Sequence, residues 1–204
     1  FITTDVSIDS ATLQKALTLV VNDTFNMVSV DGDTSTHDMA VILANGMARN
    51  SCIEEAGESF DAFAKALMTV CIYLARLMAR DGEGATKLLE CTVEGAPNDE
   101  TARILAKSVI TSSLFKAAMF GADANWGRVL CALGYADARF DINLTDVTFA
   151  SAKGELPVCR NGSGFPFSEE LAKEILGEEE IEIQVQLNQG DGAAVAWGCD
   201  LTYD

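Results

Sequence analysis

The hydrophobic period of this chain changes along its length, and that change limits the folds open to it. Apolar residues first recur at helical spacing, as in Leu13, Leu17, Val20, Val21 and Phe25, then Phe63, Leu67, Val70, Leu74 and Leu77, then Ile104, Leu105 and Val109. Later, Glu180-Ile181-Glu182-Ile183-Gln184-Val185-Gln186-Leu187 alternates strictly, the pattern of a strand with one wet face. A chain with both periods packs helices and sheets in layers. The spacing predicts helices over residues 10–26 (capped by Asp9 or Ser10), 60–80 (capped by Ser59, stopped at Asp81-Gly82), 98–113 (capped by Asn98), 128–133 and 168–176. Strands are predicted over 28–30, 86–94, 143–150, 155–159, 181–187 and 193–203. Residues 39–43 look buried, and 114–120 reads as a buried strand.

Two hundred and four residues suffice for one large domain or two small ones, with a core that needs neither metal nor disulfides. With 49% hydrophobic residues, 22% charged and 3 prolines, the chain is globular rather than disordered or fibrous. By content it divides into a mixed helix and strand part, about residues 1–140, and a strand-rich part, about 141–204. A net charge of −17 repels phosphate backbones and anionic lipid, so neither nucleic acid nor a membrane is expected as a partner. Residues 62–78 form the longest apolar stretch, but Lys65 and Arg76 interrupt it, and no spanning helix is expected. Cys52, Cys71, Cys91, Cys131, Cys159 and Cys199 form no CxxC and no Cys/His cluster; they read as reduced core residues in a reducing compartment. His37 has no second ligand at zinc spacing, so structural zinc is not expected. The chain opens on Phe1 rather than Met and stops within a strand-like stretch, so functional residues are expected beyond both ends.

Chemistry is expected in three polar, glycine-bearing loops at the edges of apolar elements. In the first, Val30-Asp31-Gly32-Asp33-Thr34-Ser35-Thr36-His37-Asp38, the pair Asp31 and Asp33 has the D-x-D spacing of a Mg²⁺-dependent aspartyl phosphatase, without the later Gly-Asp-x-x-x-Asp partner. The same groups equally satisfy the backbone of a tight turn. The second, Asp81-Gly82-Glu83-Gly84-Ala85-Thr86-Lys87, lacks the order and spacing of a phosphate loop. Its glycines either present the Glu83 carboxylate to an ammonium group or form a helix C-cap at Gly82 followed by a strand. The third, Gly121-Ala122-Asp123-Ala124-Asn125-Trp126-Gly127-Arg128, sets Arg128 at a helix N-terminus, which favours an anion such as a carboxylate. An ordinary N-cap at Asn125 with Trp126 in the core accounts for it as well. Lys116 reads as a rim residue, and Glu178-Glu179-Glu180 as a solvated turn.

Taken in this order, the three segments resemble the ornithine acetyltransferase family, the bifunctional glutamate N-acetyltransferases of arginine biosynthesis, and the resemblance covers essentially the whole chain. It implies an α/β (α+β) fold, a layered α-β-β-α sandwich of the kind shared with self-processing N-terminal-nucleophile aminopeptidases. It also implies a precursor that cuts itself before a threonine, with this chain as the β half. The nucleophilic threonine is then expected just upstream of Phe1, so no catalytic residue lies within the chain; oxyanion donors belong to the α half, and further substrate contacts lie beyond Asp204. Glu83 is implied as the substrate-binding glutamate, holding an amino group of ornithine or its acetylated form. Asp31, Asp33, Thr34, Lys87, Asn125 and Arg128 match motif positions and are implied as site support. His37 stands where many relatives carry Asn.

The implied reaction is ping-pong: threonine takes acetyl from N-acetylornithine, ornithine leaves, and glutamate collects the acetyl group. No metal or organic cofactor is implied, and acetyl-CoA stays open as a second acetyl donor. The implied partners are the α chain and a second pair, making a heterotetramer of two α and two β chains. The implied compartment is the bacterial cytoplasm, or the mitochondrion for fungal relatives. Two alternatives remain: a related self-processing aminopeptidase or amidase, which hands the acyl group to water, and a non-catalytic acidic subunit that binds a partner.

Overall fold

The structure is a computed structural model that describes residues 1–203. In chain order its elements are β1 (Ile2–Thr4), α1 (Ser10–Asn22), β2 (Val28–Ser29), β3 (Ile42–Ala44), α2 (Glu58–Arg80), β4 (Leu88–Ala96), α3 (Asp99–Thr111), α4 (Ser113–Phe120), α5 (Trp126–Tyr135), β5 (Asp146–Ser151), β6 (Gly154–Arg160), β7 (Ser163–Gly164), α6 (Glu169–Leu176), β8 (Glu180–Gln186) and β9 (Gly192–Cys199). The chain forms two compact units. One takes Phe1–Asn26 and Asp33–Ala75; the other takes Met27–Gly32 and the chain from Arg76 on. Helix α2 crosses from the first to the second at Ala75.

In the first unit α1 begins where Asp9 accepts from the amide of Ala11 at 2.8 Å, an N-cap that satisfies an otherwise orphaned donor. Its buried stripe, Ala16 and Val20, meets Leu67 and Cys71 of α2, with Ile2, Phe25, Ile42, Phe60, Phe63 and Met68 packed around them. Strands β1 and β3 pair in parallel, Ile2 opposite Ile42. The stretch 39–43 is not the buried segment its composition suggests: Met39 is 72% exposed and Leu43 58%. Helix α1 ends at Asn22, short of residue 26, and a 3-10 turn at Phe25–Met27 follows. Ser59 is not the cap of α2 but lies inside its first turn.

The second unit is built on a seven-stranded mixed sheet in the order β2-β9-β4-β8-β5-β6-β7. β4 pairs in parallel with β8 and antiparallel with β9, so Cys91 faces Ile183 on one side and Ala196 on the other. One face of the sheet carries Leu89, Cys91, Val93, Ile181, Ile183, Val185, Val147 and Phe149, all buried. Burying each large side chain of this kind contributes about 1.5–3 kcal/mol. Helix α3 packs on β4 and β9 through Ala102, Leu105, Ala106 and Val109, a helical stripe set by an N-cap at Asn98, which accepts from Thr101 at 2.8 Å. Helix α6, capped by Ser168, packs on β5 and β6. The opposite face carries Glu90, Thr92, Glu182 and Gln184, as the alternation in β8 predicts. This is the layered α+β architecture expected from the change of hydrophobic period.

Residues 114–120 are not a strand but helix α4. Ser112 caps it, accepting from Phe115 at 3.4 Å, and its buried Phe115 and Met119 are four residues apart, the spacing of one helical face. Helix α2 runs unbroken for 23 residues through Lys65 and Arg76 and is, by length and composition only, long and apolar enough to cross a membrane. Its Ala64, Leu67, Cys71, Ala75 and Ala79 are buried within the protein. One face of α2 is thus packed within the protein while Val70, Tyr73 and Leu77 stay exposed on the other. Its last turn is tied by Arg76 to Glu90 and Glu180, and by Arg80 to Glu179 and Glu180. The run 178–180 is accordingly an ion-pairing segment that opens β8 rather than a merely solvated turn. Among the cysteines, Cys71, Cys91, Cys159 and Cys199 are buried, but Cys52 and Cys131 are exposed, and all six are free thiols.

Candidate functional site

Glu83 stands at the tip of a tight turn. Helix α2 ends at Arg80, and the amide of Ala85 then closes on the carbonyl of Gly82 at 3.0 Å, which makes Glu83 and Gly84 the two central residues. Gly84 has φ +68°, the positive value that such a turn requires at its third residue and that glycine adopts without strain. Gly82 is needed for space: a Cβ there would lie 2.9 Å from Cys199 Sγ and 3.0 Å from Val30 Cγ1. Glu83 itself is exposed and makes no side-chain hydrogen bond or ion pair among the described residues. The turn is therefore packed tightly at its base and presents one carboxylate outward.

The base is fixed by Asp200, which is 3% exposed and follows β9. Its carboxylate accepts from the amides of Thr86 at 2.8 Å and Lys87 at 2.9 Å, and from the Thr86 hydroxyl. Three donors satisfy the buried charge, as burial demands. Lys87 points inward. Its ammonium donates to the carbonyls of Met119 at 2.5 Å and Leu176 at 2.6 Å, near the C-terminal ends of α4 and α6, where carbonyls lack helical partners and a cation is favoured. Burial lowers the Lys87 pKa and the Asp200 carboxylate opposes that shift. Lys87 is thus a structural tie within the motif, not a group held out to a ligand.

Helix α4 connects all three loops. Lys116, predicted at a rim, is only 4% exposed, and its ammonium donates to the carbonyl of Val30, the residue before Asp31. A lysine reaches such burial only when a polar partner meets its charge. Met119 receives Lys87 of the second loop. The C-terminus of α4 opens the third loop with a Schellman arrangement, Asp123 N to Ala118 O at 2.9 Å and Ala122 N to Met119 O at 3.1 Å. Ala122 occupies the left-handed position there, with φ +49°. Lys116, Asp200 and the exposed Asp31 also share a neighbour in Cys199. Burial raises that thiol's pKa, the Lys116 ammonium opposes the rise, and Asp200 and Asp31 add to it.

The structure separates the remaining expectations. Asp33 and Thr34 belong to the first unit, whereas Asp31 belongs to the second. Within that exposed loop, Ser35 Oγ accepts from the amide of His37 at 3.1 Å, and Thr36 Oγ1 meets His37 Nδ1 at 2.7 Å, local side-chain bonds of a turn. Asn125 immediately precedes α5 but makes no side-chain cap; its side-chain amide donates to Asp123 at 3.0 Å instead. Arg128 is exposed on the first turn of α5. Trp126 is half-buried against Gly164. Among the described residues no group of three or more His, Cys, Asp or Glu is placed to hold a metal. A groove of about 540 Å³ lies along Arg76, Arg80, Glu90, Ser151 and the segment Gly177 to Glu182, apart from these loops, and its arginines are engaged by carboxylates. Sequence reasoning missed Asp200 entirely. The pattern places it inside the strand predicted over 193–203, whereas β9 ends at Cys199 and leaves Asp200 just beyond it.

The chain matches the ArgJ family over residues 1–204. It is 54% identical over its whole length to the arginine biosynthesis bifunctional protein ArgJ of Caldanaerobacter subterraneus subsp. tengcongensis, of which it covers 51%. It is 45% identical to the protein of the same name from Bacillus subtilis, covering 49% of it. The chain thus spans about half the length of the curated relatives it matches. The crystal structure of the arginine biosynthesis bifunctional protein ArgJ from Bacillus halodurans is similar with a TM-score of 0.94 at 45% identity, covering all of this chain and 94% of that one. A match that runs from the first residue to the last, with the fold of a solved member, places this chain in the ArgJ family.

Proposed function

We propose that this chain is the β half of an enzyme of arginine biosynthesis that moves the acetyl group of N-acetylornithine to glutamate through an acetyl-threonine intermediate. The observation that carries this reading is Glu83: a turn built from Gly82 and Gly84 and anchored through Thr86 and Lys87 on Asp200 holds out one carboxylate with no partner of its own among the described residues. A carboxylate so placed suits the ammonium of an ornithine-like substrate. Two further findings support the reading. The relatives carry arginine biosynthesis and two functions in their names, and the solved relative's chain is close to this one in length although the curated relatives are about twice as long, as chains made by cutting a precursor would be.

The threonine hydroxyl, at the start of the β half just before Phe1, attacks the acetyl carbonyl, and its proton passes to its own α-amine or a nearby base. Donors on the α half hold the tetrahedral oxyanion. The C–N bond breaks, ornithine leaves with the proton on its amine, and an acetyl ester remains on threonine. The amine of glutamate then attacks that ester and restores the hydroxyl. Glu83 binds substrate; Asp31, Asp33, Thr34, Asn125 and Arg128 support the site, and Lys87 supports it from within the fold. The reaction needs no metal or organic cofactor, and acetyl-CoA serves as a second acetyl donor in the bifunctional form. Exposed apolar side chains such as Val70 and Tyr73 on α2 are surface for the α half, in a heterotetramer of two α and two β chains in the bacterial cytoplasm.

The test is steady-state acetyl transfer from N-acetylornithine to glutamate by protein expressed from its complete gene. Glu83→Ala should raise KM for N-acetylornithine about tenfold to a hundredfold, the worth of one hydrogen bond to a charged group, with self-cleavage intact. Unchanged kinetics would remove Glu83 from the site.

A further inference from the structure

Strand β2 is two residues long and lies at the edge of the sheet, pairing with β9 through Val28 and Ser29 alone. The ladder therefore stops at Ser29, and among the described residues the carbonyl of Val30 has no strand partner to fix it. That carbonyl instead accepts the ammonium of Lys116, which is 4% exposed on α4. On the other side, the Val30 side chain packs against the Glu83 turn, its Cγ1 lying 3.0 Å from where a Gly82 Cβ would be. Val30 is thus held by its carbonyl from α4 and forms with Cys199 the wall behind the turn that presents Glu83. The backbone of Lys116 is itself fixed, because its carbonyl accepts from Leu201 at 3.3 Å.

We propose that Lys116 is a positioning residue: by fixing the Val30 carbonyl it sets the start of the Asp31 loop and the wall on which the Glu83 turn rests, and so tunes how the substrate's amino group is held. This rests on the reading of Glu83 as the substrate-binding carboxylate. Lys116 touches no substrate. Removing its ammonium frees the end of β2, so the change appears in donor binding rather than in the chemistry at threonine.

The experiment uses the enzyme expressed from its complete gene, as wild type, Lys116→Met and Lys116→Gln, with active chains counted by the burst of acetyl transfer. KM for N-acetylornithine should rise about tenfold in both variants, with kcat per active chain within about twofold of wild type and cleavage complete. Amide hydrogen exchange over residues 28–32 should quicken in both, a readout that needs no substrate. A purely structural lysine would quicken exchange over 28–32 and lower the number of active chains but leave KM as it was; that result overturns the proposal, as do unchanged exchange over 28–32 and failure of both variants to fold. If wild type shows no acetyl transfer while exchange quickens as expected, the functional reading of Glu83 fails and the structural coupling through Val30 stands.

Discussion

Lys87 lies in a motif that invites a ligand-binding role, yet its ammonium is spent on Met119 and Leu176, carbonyls near the ends of two helices. Lys87→Met would leave both carbonyls and the Asp200 carboxylate short of a cation, which should cost about 2–4 kcal/mol, read as a lower urea midpoint. Burial holds the Lys87 pKa below the ordinary lysine value of 10.5. Between that lowered value and 10.5 the unfolded chain binds more protons than the folded one, so stability relative to Lys87→Met should rise with pH across this alkaline window. Comparing the midpoints of the two proteins at its lower and upper ends checks the sign. Ala122 offers the opposite kind of change. It sits at φ +49° where helices usually end on glycine, and Ala122→Gly should stabilise by about 0.5–1 kcal/mol, seen as a raised melting temperature. At this scale the motif residues were legible as special, but not their direction. A lysine looks the same in sequence whether it faces a substrate or two carbonyls some thirty and ninety residues away.

Elements with a strong period were legible. β8 alternates, α3 carries its stripe and its Asn98 cap, and both occur where the pattern puts them. Helix α4 was not, because seven mostly apolar residues fit a buried strand as well as a buried helix; the deciding signal was Ser112, an N-cap whose meaning depends on knowing that a helix follows. Close approach between elements was also hidden. Gly192 at the start of β9 lies so near the chain at Asn98 that a Cβ would come within 2.2 Å of its backbone. Gly192→Ala should therefore push α3 off the sheet and destabilise the protein by about 1–3 kcal/mol. Denaturant unfolding measures it; a loss below about 0.5 kcal/mol would mean that the loop before β9 yields instead.

Across the whole molecule, three loops far apart in sequence are tied to one short helix: Val30 by Lys116, the Glu83 loop through Lys87, and the third loop by the Schellman turn that ends α4. The layered fold and the membership of the ArgJ family were both readable from the sequence, because period and motif order are local properties. The convergence on α4 was not, since it is made by tertiary contacts and by a buried lysine that composition places at the surface. The chain spans about half of its curated relatives, and in the proposed reaction it holds the carboxylate for the substrate but not the nucleophile. The measurement that tests this most directly is intact-mass analysis with N-terminal sequencing of protein made from the complete gene, before and after incubation with N-acetylornithine alone. Two co-purifying chains are expected, the β chain beginning at a threonine just before Phe1 and gaining one acetyl group on that residue. An uncut protein that still transfers acetyl, or a cut one that never carries acetyl on that threonine, would contradict the proposed mechanism.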